Sequence, residues 1–305
     1  MLCGRSSPLG KEKMSILVDK DTRVVAQGIT GRFGTFHSRR MVEYGTRVVA
    51  GVTPGKGGAE VNGVPVFDTL REAVKDHSAD ATITFVPAPF VKEAILEAIE
   101  EEIKLVAVVV EGMPVKDMMI VKQALRGSDT VLIGPNSPGL ITAEECSIGF
   151  FPGDIYRKGP VGIVSRSGTF SYQVADDITK AGLGETSSVG IGGDPITGVS
   201  FIDILKLYEQ DDNTKVIVLI GEIGRTSEEE AAEYIESEVS KPVVAIIAGR
   251  TAPPGKAMGH AGAIITGGKG SYDSKIKALE KAGVRVGKTT KEVANLVEGA
   301  LKDVQ

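Results

Sequence analysis

Tryptophan is absent from this chain of 305 residues, and it holds only two cysteines and three histidines. Cys3 and Cys146 are too few for a disulfide framework and lack metal-ligand spacing, which fits a reducing compartment, either bacterial cytoplasm or an organelle matrix. No His/Cys cluster offers ligands, so no metal site is expected here. Positive charge is not in excess either. Lys and Arg number 35 against 40 Asp and Glu, a net charge of −5, which gives a polyanion no global attraction and makes nucleic acid an unexpected partner. No apolar run approaches the roughly 18 residues of a membrane-spanning helix, so no membrane is expected. The segment Met1 to Lys13 lacks the apolar core of a secretory signal. It reads as a ragged N-terminal extension, with an organelle-targeting remnant as the alternative.

Several nucleotide and hydrolase motifs are also missing. No G-x-x-x-x-G-K-[ST] occurs, because the Gly-Lys pairs at Lys56, Lys256 and Lys269 are followed by Gly57, Ala257 and Gly270. A nucleotide would therefore need another fold or another chain. The elbow G-x-S-x-G is absent, since Gly162-Ile-Val-Ser165-Arg-Ser167-Gly168 misses it. What the chain does have is glycine. Thirty-eight of them make about twelve per cent, against roughly seven in average proteins, and no G-X-Y period explains the excess.

Short β-branched runs alternate with amphipathic stretches, the pattern of βαβ units on a parallel sheet. Strands are expected at 23–27, 47–52, 81–86, 105–110 and 130–133, with helices between them at 36–44, 69–76, 90–102 and 116–126. The passage Gly134-Pro-Asn-Ser-Pro-Gly139 interrupts this rhythm. The alternation resumes with strands at 161–164, 187–191, 215–220, 243–248 and 284–286, and helices at 170–181, 201–210, 227–239, 272–282 and 290–301. The expected class is α/β, with a first domain over 14–140, a linker over 141–160 and a second domain over 161–305. In both halves glycines follow strands, where ligands of open α/β sheets bind.

After the first strand comes Gly28-Ile-Thr-Gly31-Arg32-Phe33-Gly34, spaced G-x-x-G-x-x-G rather than as the dinucleotide fingerprint. The ribose-reading acid expected about 20 residues on is missing, and Thr53-Pro54-Gly55-Lys56 stands there instead. A lysine at that point suits an extra phosphate, as coenzyme A carries, better than NAD; it also fits a solvated loop lysine. In the second domain, His37 and His77 of the first have no counterpart but His260, set between Gly259 and Gly262 in a loop after a strand. Small neighbours leave its imidazole accessible, as a nucleophile needs. Ser167, Gly168 and Thr169 stand at a helix start, where hydroxyls and free N–H groups hold phosphate, or simply cap the helix. Glu222 follows the strand 215–220 and can orient an imidazole, or be a loop acid. His37 and His77 read as surface residues of charged helices.

The chain resembles the α subunits of the succinyl-CoA synthetase family (succinate–CoA ligases, nucleoside-diphosphate forming) from Met14 onward. The motifs are Gly51-Val-Thr-Pro-Gly-Lys-Gly-Gly58, Val86-Pro-Ala-Pro-Phe90, Val164-Ser-Arg-Ser-Gly-Thr169, Val189-Gly-Ile-Gly-Gly-Asp-Pro195, Gly221-Glu-Ile-Gly224 and Met258-Gly-His-Ala-Gly-Ala-Ile264. The resemblance implies a Rossmann-like CoA-binding domain followed by a flavodoxin-like ligase domain. It implies that His260 is phosphorylated and contacted by Glu222. It places Thr30, Gly31, Arg32, Phe33, Lys56, Val109, Val110 and Glu111 at coenzyme A and Tyr172 at the acid substrate. A partner β subunit with an ATP-grasp site would carry Mg²⁺ and ATP or GTP, in an αβ or α2β2 assembly.

Four positions depart from the family pattern: Ser137 where cysteine is usual, Arg225 where glycine is usual, Lys256-Ala257 in place of a basic pair, and Phe170-Ser-Tyr172 in place of Leu-Thr-Tyr. The added arginine fits a more highly charged acid such as citrate or malate, or else drift or an interface change. Two other classes compete with the ligase, a non-catalytic CoA sensor and an NAD(H)-binding redox protein. His260 with Glu222 argues against the first, and the missing ribose acid against the second.

Overall fold

The computed structural model describes residues 16–253, 259–265 and 270–304. The N-terminal extension, Met14, Lys256, Ala257, Met258 and Lys269 lie outside the described residues. In chain order the first half folds as β1 (Arg23–Gln27), α1 (Arg32–Tyr44), β2 (Arg47–Val52), β3 (Glu60–Val61), β4 (Val64–Phe67), α2 (Leu70–Asp76), β5 (Ala81–Thr84), α3 (Val91–Glu100), β6 (Leu105–Val108), α4 (Val115–Leu125) and β7 (Val131–Ile133). Its sheet runs β3-β4-β2-β1-β5-β6-β7, parallel throughout from β4 to β7. Without the edge strand β3, that is the 3-2-1-4-5-6 order of a Rossmann-like sheet, which reverses between β1 and β5. β5 and β6 are buried on both faces, so they read as continuous apolar or β-branched runs rather than as alternating ones.

The second half comprises β8 (Gly139–Thr142), β9 (Cys146–Gly149), β10 (Lys158–Ser165), α5 (Gly168–Lys180), β11 (Glu185–Gly190), α6 (Phe201–Gln210), β12 (Val216–Glu222), α7 (Ser227–Glu238), β13 (Val243–Ala248), α8 (Tyr272–Lys281), β14 (Arg285–Val286) and α9 (Thr290–Asp303). The sheet order is β14-β13-β12-β10-β11-β8-β9. From β11 to β14 the strands are parallel in the 2-1-3-4-5 order of flavodoxin-like folds, with the switch point between β10 and β12.

The stretch 141–160, expected to be an irregular linker, contains a β-hairpin instead. β8 pairs antiparallel with both β11 and β9 and so extends the second sheet. Its glycines are structural: a methyl at Gly139 would lie 1.9 Å from the Ile148 carbonyl oxygen, and one at Gly149 2.0 Å from that of Pro138. The hairpin also seals the domains together. Thr46 Oγ1 donates to the Ser147 carbonyl at 2.8 Å and accepts from Ser147 N at 2.9 Å, while the Tyr44 hydroxyl accepts from Glu144 N at 2.7 Å. Leu140, Cys146 and Ile148 join one core with residues of both sheets.

His37 is not a plain surface residue. Its ring lies 4.2 Å from that of Phe150, 5.2 Å from Phe33 and 5.0 Å from Phe36. Burial, helped by Arg40, pushes its pKa down to about 4, so it stays neutral. His77 caps the end of α2, half-buried and edge-on to Phe67.

Candidate functional site

Parallel strands end on the same edge of a sheet, and the first sheet gathers the expected coenzyme A residues at that edge. Gly28, Thr30, Gly31, Arg32 and Phe33 run from the end of β1 into the start of α1, Lys56 follows β2, and Val109, Val110 and Glu111 follow β6. Gly28 has φ of +79°, and a methyl there would stand 3.0 Å from the Phe85 carbonyl carbon, so the turn passes close against the end of β5. Gly31 caps α1 with no side-chain hydrogen bond, leaving the first N–H groups of the helix open to an anion. Thr30 Oγ1 donates to Thr53 Oγ1 at 3.1 Å, joining the turns after β1 and β2. Phe33 is 61% exposed and Lys56 is exposed as well, so both can meet a ligand from solvent.

The second sheet brings the catalytic candidates to its switch point. Ser165 at the end of β10 is level with Ile220 on β12, and Glu222 is level with Ala248 on β13, whose following loop carries His260. The His260 Nδ1–H donates to Glu222 Oε2 at 2.8 Å. That bond raises the pKa of His260 above its usual 6.5, against the opposing effects of burial and Arg166. With Nδ1 so engaged, Nε2 is the free nitrogen, on a side chain 26% exposed. Gly193, in the turn that follows β11, forms the floor: a methyl there would lie 2.5 Å from His260 Cγ.

α5 starts at the same switch point. Ser167 Oγ accepts from Phe170 N at 3.4 Å, so the N-cap reading of this residue is realised geometrically. Thr169 is exposed, and Gly168 stands beneath the Tyr172 hydroxyl, 3.6 Å from where its methyl would be. Burial pushes the Tyr172 hydroxyl up to about 12, so it remains a neutral donor.

Sequence reasoning passed over the charges beneath this site. Arg166 is 1% exposed, with Nη2 2.9 Å from Glu222 Oε1 and Nη1 3.0 Å from Glu228 Oε1. Lys275, equally buried, binds Glu228 and, at 2.8 Å, Glu229. Burial alone would raise the Glu228 carboxyl, but Arg166 and Lys275 outweigh it and hold it below the usual 4.5. Arg166 lies inside the Val164-Ser-Arg-Ser motif, yet nothing in a lone arginine tells that it points inward. Among the described residues no group of three or more His, Cys, Asp and Glu is arranged to hold a metal, and no helix is long and apolar enough to cross a membrane.

A family model for a CoA binding domain matches residues 19–112, and one for CoA-ligase matches 164–285. The chain is 55% identical over 294 residues to the succinate–CoA ligase [ADP-forming] subunit α of Aquifex aeolicus, covering 96% of each chain. To the Staphylococcus aureus protein of the same name it is 53% identical over 290 residues, covering 95% of this chain and 96% of that one. The chain belongs to the succinate–CoA ligase α-subunit family. Members of this α-subunit family are ligases, and the subunit name implies a partner chain. A solved structure of ATP citrate lyase from Methanothrix soehngenii, in complex with citrate and coenzyme A, superposes with a TM-score of 0.86 at 26% identity. The match covers 96% of this chain and 51% of that one, so the α-subunit fold here spans about half of that larger polypeptide.

Proposed function

We propose that this chain is the α subunit of an enzyme that joins succinate to coenzyme A, reversibly, through a phosphohistidine at His260. The observation that carries the reading is the 2.8 Å bond from His260 Nδ1–H to Glu222 Oε2, which leaves the Nε2 lone pair free on an accessible ring. Nε2 attacks the γ-phosphorus of a nucleoside triphosphate, and the nucleoside diphosphate leaves with the electrons of the broken P–O bond. Positive charge that develops on the imidazole is stabilised by Glu222, itself fixed by Arg166.

A carboxylate oxygen of the acid then attacks phosphorus, the P–N bond breaks and its electrons return to Nε2, giving an acyl phosphate. The thiolate of coenzyme A attacks the acyl carbon and inorganic phosphate leaves. In this reading the start of α5 receives the phosphoryl oxygens on the N–H groups of Gly168 and Thr169 and the free O–H of Ser167, with the helix dipole adding to the attraction. Tyr172 meets the acid. Thr30, Gly31, Arg32, Phe33, Lys56, Val109, Val110 and Glu111 hold coenzyme A. ATP or GTP and Mg²⁺ belong to an ATP-grasp β subunit, in an αβ or α2β2 assembly of the cytoplasm.

Citrate or malate is the second reading of the acid, favoured by the likeness to a citrate-bound ATP citrate lyase and by the extra cation at Arg225. The decisive experiment reconstitutes the chain with its β subunit. Labelling by γ-labelled nucleotide should be acid-labile and base-stable, and should vanish in His260→Asn. Thioester formation is then compared for succinate, malate and citrate. Label that survives in His260→Asn sinks the phosphohistidine, and turnover of citrate above succinate selects the second acid.

A further inference from the structure

Arg225 takes a backbone conformation that glycine adopts most readily: φ is +53°, directly after Gly224 at +85°. A side-chain-bearing residue in that left-handed region is disfavoured unless its surroundings hold it there. They do so from two directions. The main chain is pinned to the start of α8, since Gly224 N donates to the Gly270 carbonyl at 2.7 Å and Lys275 Nζ donates to the Arg225 carbonyl at 2.9 Å.

The side chain points the other way, toward His260. Its Nη2 donates to the Gly193 carbonyl and its Nη1 to the Pro195 carbonyl, both at 3.3 Å. Gly193 is the floor of the imidazole. The same guanidinium lies against the chain beyond His260, because a methyl on Gly262 would be 2.6 Å from Arg225 Nη2. Gly262 N in turn donates to the Gly193 carbonyl at 3.3 Å. One planar group therefore touches both the floor beneath the nucleophile and the segment that carries it. Among the described residues no carboxylate forms an ion pair with Arg225; Nη1 and Nη2 bond backbone carbonyls, while Nε is buried with no hydrogen-bond partner.

We infer that Arg225 is a positioning residue that clamps the 193–195 turn to the His260 segment and so holds the imidazole against Glu222. The inference rests on the proposed role of His260. It gives a reason for a conformation that otherwise only strains the chain. A planar fork suits this task, because it reaches two carbonyls at once, whereas an ammonium is a point donor.

The test compares Arg225→Gly and Arg225→Lys with the unaltered αβ enzyme. Glycine adopts φ of +53° freely, so Arg225→Gly should fold, and its thermal midpoint checks this. In single turnover, discharge of the phosphohistidine to acid and coenzyme A should slow about tenfold in Arg225→Gly, with both KM values within about twofold, because alignment rather than ground-state binding is lost. Hydrogen exchange at Gly262 and Ala263 should quicken in the same variant. Arg225→Lys should resemble Arg225→Gly. Unchanged discharge and unchanged exchange would overturn the clamp, as would full activity in Arg225→Lys, which would show that charge alone suffices. A rise in KM for one acid with kcat preserved would also overturn it, in favour of direct acid recognition. If His260 never takes label, the proposed function fails, and the exchange measurement still decides the clamp.

Discussion

Glu222 serves two partners at once, accepting His260 Nδ1–H on one oxygen and facing Arg166 with the other. The proton affinity of His260 is raised chiefly by the hydrogen bond to Glu222, so protonated imidazole persists to higher pH than an isolated histidine would allow. Only the neutral ring has a lone pair on Nε2. Phosphorylation should therefore rise with pH through that raised value. Glu222→Gln removes the charge, so the midpoint of labelling rate against pH should move to lower pH, while the plateau rate falls on the order of tenfold to a hundredfold as charge stabilisation is lost. A midpoint that does not move would refute the pairing. Linkage gives a stability counterpart with a definite sign. A raised folded pKa stabilises below the unfolded value of about 6.5 and ceases to do so as pH rises through the folded one, so Glu222→Gln should destabilise most in acid and least in alkali. At this scale the sequence was informative about residues that reach solvent at strand ends, and His260 and Glu222 were legible there. Arg166, Glu228 and Lys275 were not. Their meaning lies in mutual contact between three elements, and no local spacing encodes that.

Those three residues tie β10, α7 and α8 into one unit beneath the site. A chain of alternating charges, Glu222, Arg166, Glu228 and Lys275, runs through side chains that are almost wholly buried. Removing one member of such a chain leaves a buried charge unpaired, which is more damaging than the intact network is stabilising. Lys275→Met should cost about 3 kcal/mol in chemical denaturation near neutral pH. Glu228 titrates below 4.5 in the folded chain, so its contribution is full above that pH and is lost as pH falls through the lowered value. The gap between Lys275→Met and the unaltered chain should accordingly narrow in acid; a gap constant from neutral pH to below 4.5 would contradict the network. Elements with a strong local pattern were the legible ones: β1, β2, β13 and α6 run as their residue types indicate. The two hairpins were not. β3 and β4 are joined by Asn62-Gly63, with φ of +55° and +78°, a pair that favours a two-residue turn, but the strands are too short to show alternation. β8 and β9 each carry one glycine in four residues and are buried throughout, so neither shows the alternation of a half-exposed strand.

On the scale of the molecule, the two sheets meet where the turn after β7 crosses from one site to the other. Asn136 N donates to the Val110 carbonyl at 2.9 Å, at the strand end expected to hold coenzyme A, and the Asn136 carbonyl accepts from Gly193 N at 2.9 Å, on the floor of His260. A second strut lies alongside: Gly198 N donates to the Gly134 carbonyl at 2.8 Å, and Lys122 Nζ from α4 to the Gly198 carbonyl, also at 2.8 Å. One residue, through the two peptide units on either side of it, therefore stands between the two expected sites. If coenzyme A orders residues 109–111, as the proposed site requires, freedom is removed from Asn136 and, through it, from Gly193, and the two sites then share part of their ordering cost. This coupling is reciprocal, because it is a free energy between two binding events. Coenzyme A added to the αβ enzyme should slow hydrogen exchange in peptides covering 190–198 as well as in those covering 105–112, by about fivefold if the coupling is of ordinary size. By the same linkage, phosphorylating His260 should tighten coenzyme A, and coenzyme A should favour phosphorylation by an equal factor. Protection confined to the first domain, with no change at 190–198 and no effect of phosphorylation on coenzyme A affinity, would mean that the turn at Asn136 joins the domains without transmitting between them.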